Sequence, residues 1–108
     1  MTRLPSKCST ILTRAQKLIE RGWCQNHHAQ TKNGEICHFN NKRAVKWCAA
    51  GAVNSFSRGD RYKKTIDFLD RSVSTLCIVK FNDAKGRKKG AVIQAFDRAI
   101  ALALKEHC

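Results

Sequence analysis

A helical period that recurs in separate stretches of one short chain is the feature that most narrows its fold. Cys8, Ile11, Leu12, Ala15, Leu18 and Ile19 return at intervals of three and four, while Lys7, Arg14, Lys17 and Arg21 fall between them. That spacing lays the apolar residues along one face. It predicts a first helix over 6–21, closed by Gly22 as a C-terminal cap. The same period in Val45, Cys48, Ala49, Ala52, Val53 and Phe56 predicts a second helix, capped by Asn40 or Asn41. After the break Ser57-Arg58-Gly59-Asp60, Asp60 can cap a third helix that turns Tyr62, Ile66, Leu69, Val73 and Leu76 inward. A last helix starts between Gly86 and Gly90 and buries Val92, Ala95, Phe96, Ala99, Ile100 and Ala103.

Two stretches break this pattern. Lys32-Asn33-Gly34-Glu35 carries an Asn-Gly turn signal, which predicts a hairpin pairing 23–30 with 35–39. Cys77-Ile78-Val79-Lys80-Phe81 is rich in strand formers and leads into Asn82-Asp83, read as an Asx turn that steers the chain into the last helix. Two strands alone make a marginal sheet, so a short third strand is expected near residues 77–81. The expected fold is a helix-dominated α+β domain of about four helices packed with a β-hairpin. A chain of 108 residues fits one domain over 1–108, with 1–5 as a flexible N-terminus.

Charge comes next, because it works against compaction. Lysine and arginine number 21 against 8 acidic residues, a net charge of +13 spread along the whole chain. Such an excess repels itself and makes an anionic partner the expectation, nucleic acid first and an acidic protein surface second. The opening residues lack the apolar core of a signal peptide, and no apolar run approaches the roughly 18 residues of a membrane span. A cytoplasmic protein without membrane contact is therefore expected. In a reducing compartment the six cysteines read as free thiols or metal ligands, with Cys108 the least structural of them.

Three segments also carry a resemblance: 11–25 with Gly22-Trp23-Cys24-Gln25; 44–53 with Trp47-Cys48-Ala49-Ala50-Gly51-Ala52; and 81–100 with Asn82-Asp83, Gly86-Arg87 and Phe96-Asp97-Arg98-Ala99-Ile100. In that order they resemble a family of small bacterial and phage proteins, a domain of unknown function, over about residues 11–104. The resemblance implies a compact cytoplasmic domain, often phage-borne, and no reaction. This chain departs from the family pattern in having Phe81 where tryptophan is usual. It also has Lys88 where threonine is usual, with Ala91 in place of a glutamate three residues on. That threonine and glutamate would form a capping box, which Lys88 and Ala91 cannot.

The exchange of a cap for cations makes Lys85-Gly86-Arg87-Lys88-Lys89-Gly90 the leading candidate site. Free backbone N–H groups, the helix dipole and four cations converge there, as a phosphate site requires. Arg58, Arg61, Lys63 and Lys64 form a second cluster, and Lys42, Arg43 and Lys46 a third. Few aromatics are left for base stacking, so binding should follow the backbone. Cys24, His27, Cys37 and His38 have four potential zinc ligands among them, but adjacent Cys37 and His38 suit one tetrahedral ion poorly, so no metal or cofactor is expected. Cys48 near a helix start could serve a thiol enzyme, yet it sits in an apolar stripe with no base in sight. Gly51 beside it implies close packing of another element, and Trp23 and Trp47 read as core anchors. The expected function is that of a non-enzymatic accessory protein binding nucleic acid through its phosphates. The alternative is a phage-type modulator docking on an acidic host protein surface.

Overall fold

A computed structural model describes residues 4–108; of the tail expected at 1–5, residues 1–3 lie outside them. The element order is α1 (Cys8–Arg21), β1 (Ala29–Thr31), β2 (Ile36–Cys37), β3 (Ala44–Trp47), α2 (Ala49–Asn54), α3 (Gly59–Arg71), α4 (Ile78–Asp83) and α5 (Lys89–Lys105). The three strands form one antiparallel sheet in the order β2-β1-β3. This is the helix-dominated α+β fold that the periodicity implied. Among the described residues no helix is long and apolar enough to cross a membrane.

The α1 stripe buries Cys8, Ile11, Leu12, Ala15 and Ile19, so α1 becomes the axis around which α2, α3, α5 and β3 gather. It runs antiparallel to α5. The Lys89 ammonium donates to the Glu20 carbonyl, Gln16 bridges to Ile93 and Asp97, and the Ser9 N–H reaches the Cys108 carbonyl. Phe68, Leu69, Ile78, Val53, Val92 and Phe96 complete the core, each large side chain contributing about 1.5–3 kcal/mol by leaving water.

The hairpin forms around the Asn-Gly turn, in the register Ala29↔Cys37 and Gln30↔Ile36, but it is shorter than expected. Trp23 lies outside it and bridges Trp47 in parallel instead. The third strand exists, at 44–47 rather than 77–81. Ala44, Lys46 and Trp47 pair with β1, and Val45, at the register shift between them, is left 43% exposed where a helix would have buried it. The second helix therefore starts only at Ala49, where the Cys48 sulfur accepts from the Gly51 N–H at 3.3 Å.

Residues 78–83 form a fifth helix despite their strand-prone composition. The Asp70 carboxylate on α3 accepts the Ile78 N–H at 2.7 Å, capping α4 across space, and Ile78 and Phe81 then bury together at a spacing of three. Leu76 is not inward: it sits at φ 55° and is 71% exposed, because α3 ends at Arg71 and the chain turns outward before α4.

Two glycines mark where backbones touch. A Cβ on Gly22 would lie 2.0 Å from the Val45 carbonyl oxygen, and one on Gly51 2.1 Å from that of His28. Gly22 does end α1, but in an extended conformation (φ −173°), so its use is the approach of β3 rather than a left-handed cap. Gly51 behaves as expected and lets the strand region settle onto α2.

Candidate functional site

Among the described residues Arg71 is the one cation paired with carboxylates, at 3.0 Å to Asp67 and 2.9 Å to Glu106. The other described cations have no carboxylate partner, and some of them are held by carbonyls, rings and sulfurs while others face solvent.

The start of α5 has the uncapped form expected of it. Lys88 occupies the N-cap position with extended backbone and makes no side-chain cap. Its neighbours are partly committed to the fold. The Arg87 guanidinium lies 3.7 Å over the Phe81 ring and donates to the Phe81 carbonyl at 2.8 Å, while Lys89 ties down the C-terminal end of α1 through Glu20. Lys85 and Lys88 remain exposed.

The second cluster divides in the same way. Arg58 donates to the Asn54 and Ser57 carbonyls and lies 5.1 Å over Phe39, and Arg61 turns to the sulfurs of Cys8 and Cys108. Lys63 and Lys64 are exposed on α3. The two clusters do not meet at one point. One contacts α1 at Glu20 and the other at Cys8, about 18 Å apart at the helical rise per residue. Lys42, Arg43 and Lys46, expected at a helix start, occupy the loop before β3 and β3 itself.

What bridges the first two clusters was not foreseen as a site. Lys7, Arg14, Lys17 and Arg21 are all exposed, and at 3.6 residues per turn they fall within an arc of about 80° on α1. The heptad spacing of Lys7, Arg14 and Arg21 was the available signal. Beside this stripe runs a groove of about 280 Å³ between α1 and α5, lined by Ser9, Thr10, Thr13, Arg14, Lys17, Ile100 and Leu104. Hydroxyls and cations of α1 thus stand together along this groove, beside the C-terminal half of α5.

The cysteine and histidine candidates behave differently. Burial, reinforced by the Cys48 and Asp83 charges, pushes the Cys24 thiol up to about 12. Burial likewise raises Cys48, whose sulfur already serves as the α2 cap. Neither is poised as a nucleophile. The Cys24 thiol points at the His27 carbonyl, His38 bonds Asn40, and among the described residues no three His, Cys, Asp or Glu side chains converge as a metal site.

The motif residues meet in a buried network centred on Asn82, not in a turn. Its Oδ1 accepts from Trp23 Nε1 at 2.8 Å and from the Ala49 N–H at 3.0 Å, and its Nδ2 donates to the Cys24 carbonyl at 3.2 Å and to Asp83 at 2.8 Å. Gln25 adds bonds to the Asn82 and Ala84 carbonyls. Trp47 is buried and donates to the Phe39 carbonyl, and Trp23 is half-buried. These residues tie α1, α2 and α4 together, which is a structural task.

The model of a family of unknown function, DUF6197, matches residues 4–102, and the chain belongs to that family. Nothing among curated proteins or solved structures matches it.

Proposed function

We propose that this member of the family is a non-enzymatic protein that binds nucleic acid through the phosphate backbone. The contact face runs along the α1 stripe of Lys7, Arg14, Lys17 and Arg21 and ends at the α5 start with Lys85 and Lys88. Lys63 and Lys64 extend it at the far end. The observation that carries this reading is the lack of internal compensation: among the described residues two ion pairs, both on Arg71, stand against a net charge of +13. Cations left facing water in a row release condensed counterions when they meet phosphates, which drives association.

The aromatic residues support a backbone-directed mode. Phe68, Phe81, Phe96 and Trp47 are buried, and Phe39 is covered by Arg58, so little is left on which bases could stack. The raised thiols of Cys24 and Cys48 favour the non-enzymatic reading, and a cytoplasmic setting accords with it.

The test is binding to duplex and single-stranded nucleic acid across a salt series. The logarithm of affinity must fall linearly with the logarithm of salt concentration, and absence of binding at low salt overturns the proposal. A chain that fails there, yet carries one stoichiometric acidic protein out of nuclease-treated lysate, belongs with the modulators of host proteins instead.

A further inference from the structure

The sequence marked Cys108 as the cysteine with least structural use, and the fold contradicts this. After α5 the chain makes a Schellman turn: Cys108 N–H bonds the Ala103 carbonyl at 2.8 Å, His107 N–H bonds that of Leu104 at 3.1 Å, and His107 takes φ 59°. Histidine in the left-handed region is uncommon, and the turn it permits folds Cys108 back against the start of α1. There the Cys108 carbonyl accepts from the Ser9 N–H at 2.9 Å and the Ser9 hydroxyl at 3.2 Å, and Cys108 is buried. The Cys108 and Cys8 sulfurs lie 2.6 Å apart and share a hydrogen bond. One guanidinium faces both, with Arg61 Nη1 3.5 Å from Cys108 Sγ and 3.8 Å from Cys8 Sγ. A groove of about 220 Å³, lined by Lys7, Ser9, Leu104, His107 and Cys108, opens this corner to solvent.

We propose that Cys8 and Cys108 form a dithiol site for thiol–disulfide exchange with a low-molecular-weight disulfide, Arg61 holding the attacking thiolate of Cys108. Cys108 attacks one sulfur of the small disulfide, forming a mixed disulfide and releasing one thiolate into the groove. The Cys8 thiol then attacks Cys108 Sγ, its proton passing to the second thiolate as that group is expelled into the groove. The two cysteines give up two protons and two electrons, the small disulfide becomes two thiols, and a bridge closes between α1 and the turn after α5.

Access and charge agree on this order. Cys8 is fully buried and Cys108 touches the groove. Burial works against ionisation of Cys108, but the bond from Cys8, the backbone contact with it, and the Lys64 and Arg61 charges outweigh it and hold this thiol below the ordinary cysteine value. Burial, and then the bond to Cys108, push Cys8 up, so the shared proton stays on Cys8. The attacking partner is the accessible one and the resolving partner the buried one.

The experiment exposes the reduced full-length chain to oxidised glutathione, blocks remaining thiols under denaturing conditions and maps the peptides. The expected product has lost two of its six thiols, at Cys8 and Cys108, retains no glutathione and is restored by dithiothreitol. Cys8→Ser is expected to stop at the glutathione adduct on Cys108, and Arg61→Gln to slow exchange about tenfold and move its pH profile upward, with circular dichroism unchanged in both. Free Cys8 and Cys108 after exposure, a bridge mapped to other cysteines, or exchange by Arg61→Gln at the wild-type rate and pH profile overturns the proposal. The mapping needs no variant to fold and is independent of nucleic-acid binding.

Discussion

Asn82 engages all four hydrogen-bonding positions of its amide inside the protein while only 1% exposed. Removing the amide leaves the Ala49 N–H and the Cys24 carbonyl without partners. Asn82→Ala is therefore expected to cost about 3 kcal/mol of stability, read as a lower midpoint in urea. Cys24 permits a pH prediction. Its folded value near 12 lies above the ordinary cysteine value, so the unfolded chain binds fewer protons between the two. Stability is complete below about pH 8.5 and falls by about 1.4 kcal/mol per pH unit above it, until the folded thiol also ionises. In a pH series of urea unfolding curves, Cys24→Ala should remove that part of the alkaline slope and leave the part due to Cys48, Cys8 and Tyr62, which are also raised. The sequence showed Asn82 only beside Asp83, a pair that reads locally as a turn. Its true partners stand on β3's neighbour α2 and on the segment after α1, beyond the reach of any local pattern.

At the scale of elements, the long amphipathic stripes were legible because each helix needs nothing but its own period: α1, α3 and α5 lie close to where spacing put them. The failures fell on short segments whose state is decided across space. Residues 44–47 fit a helical stripe, but β1 offers them an open edge; residues 78–83 are strand-prone, but Asp70 caps them as a helix. Two comparisons test this view of the elements. Gly51→Ala places a methyl 2.1 Å from the His28 carbonyl oxygen and should cost about 3 kcal/mol, whereas Gly90→Ala meets open space and should gain about 0.5 kcal/mol, both by thermal melting. At the uncapped start of α5, Lys88→Ser should add about 1 kcal/mol of stability. If Lys88 contacts phosphate, the same variant should lower the salt slope of nucleic-acid binding by about 0.9. Stability and binding moving in opposite directions would mark the missing cap as the cost of a contact.

The whole molecule is flat, 40 × 38 × 20 Å, and on a flat body the placement of charge matters more than its sum. Clusters read along the chain looked like independent sites, and folding regrouped them. Arg58, Arg61, Arg87 and Lys89 were drawn into contacts with carbonyls, rings and sulfurs. The stripe on α1, which in the sequence merely filled the gaps between apolar residues, was left free. Helical periodicity therefore located the polar face of α1 while hiding its use, since only the packing of α5 alongside shows that this face borders a groove. If the stripe binds phosphates, replacing Arg14, Lys17 and Arg21 by glutamine removes three contacts and should reduce the magnitude of the log–log salt slope on duplex DNA by about 2.7. Replacing Lys32, Lys42 and Arg43 beside the hairpin turn removes the same charge and should leave the slope unchanged. Equal losses from the two triple variants would mean that net charge alone attracts the partner, and the assigned face would have to be given up.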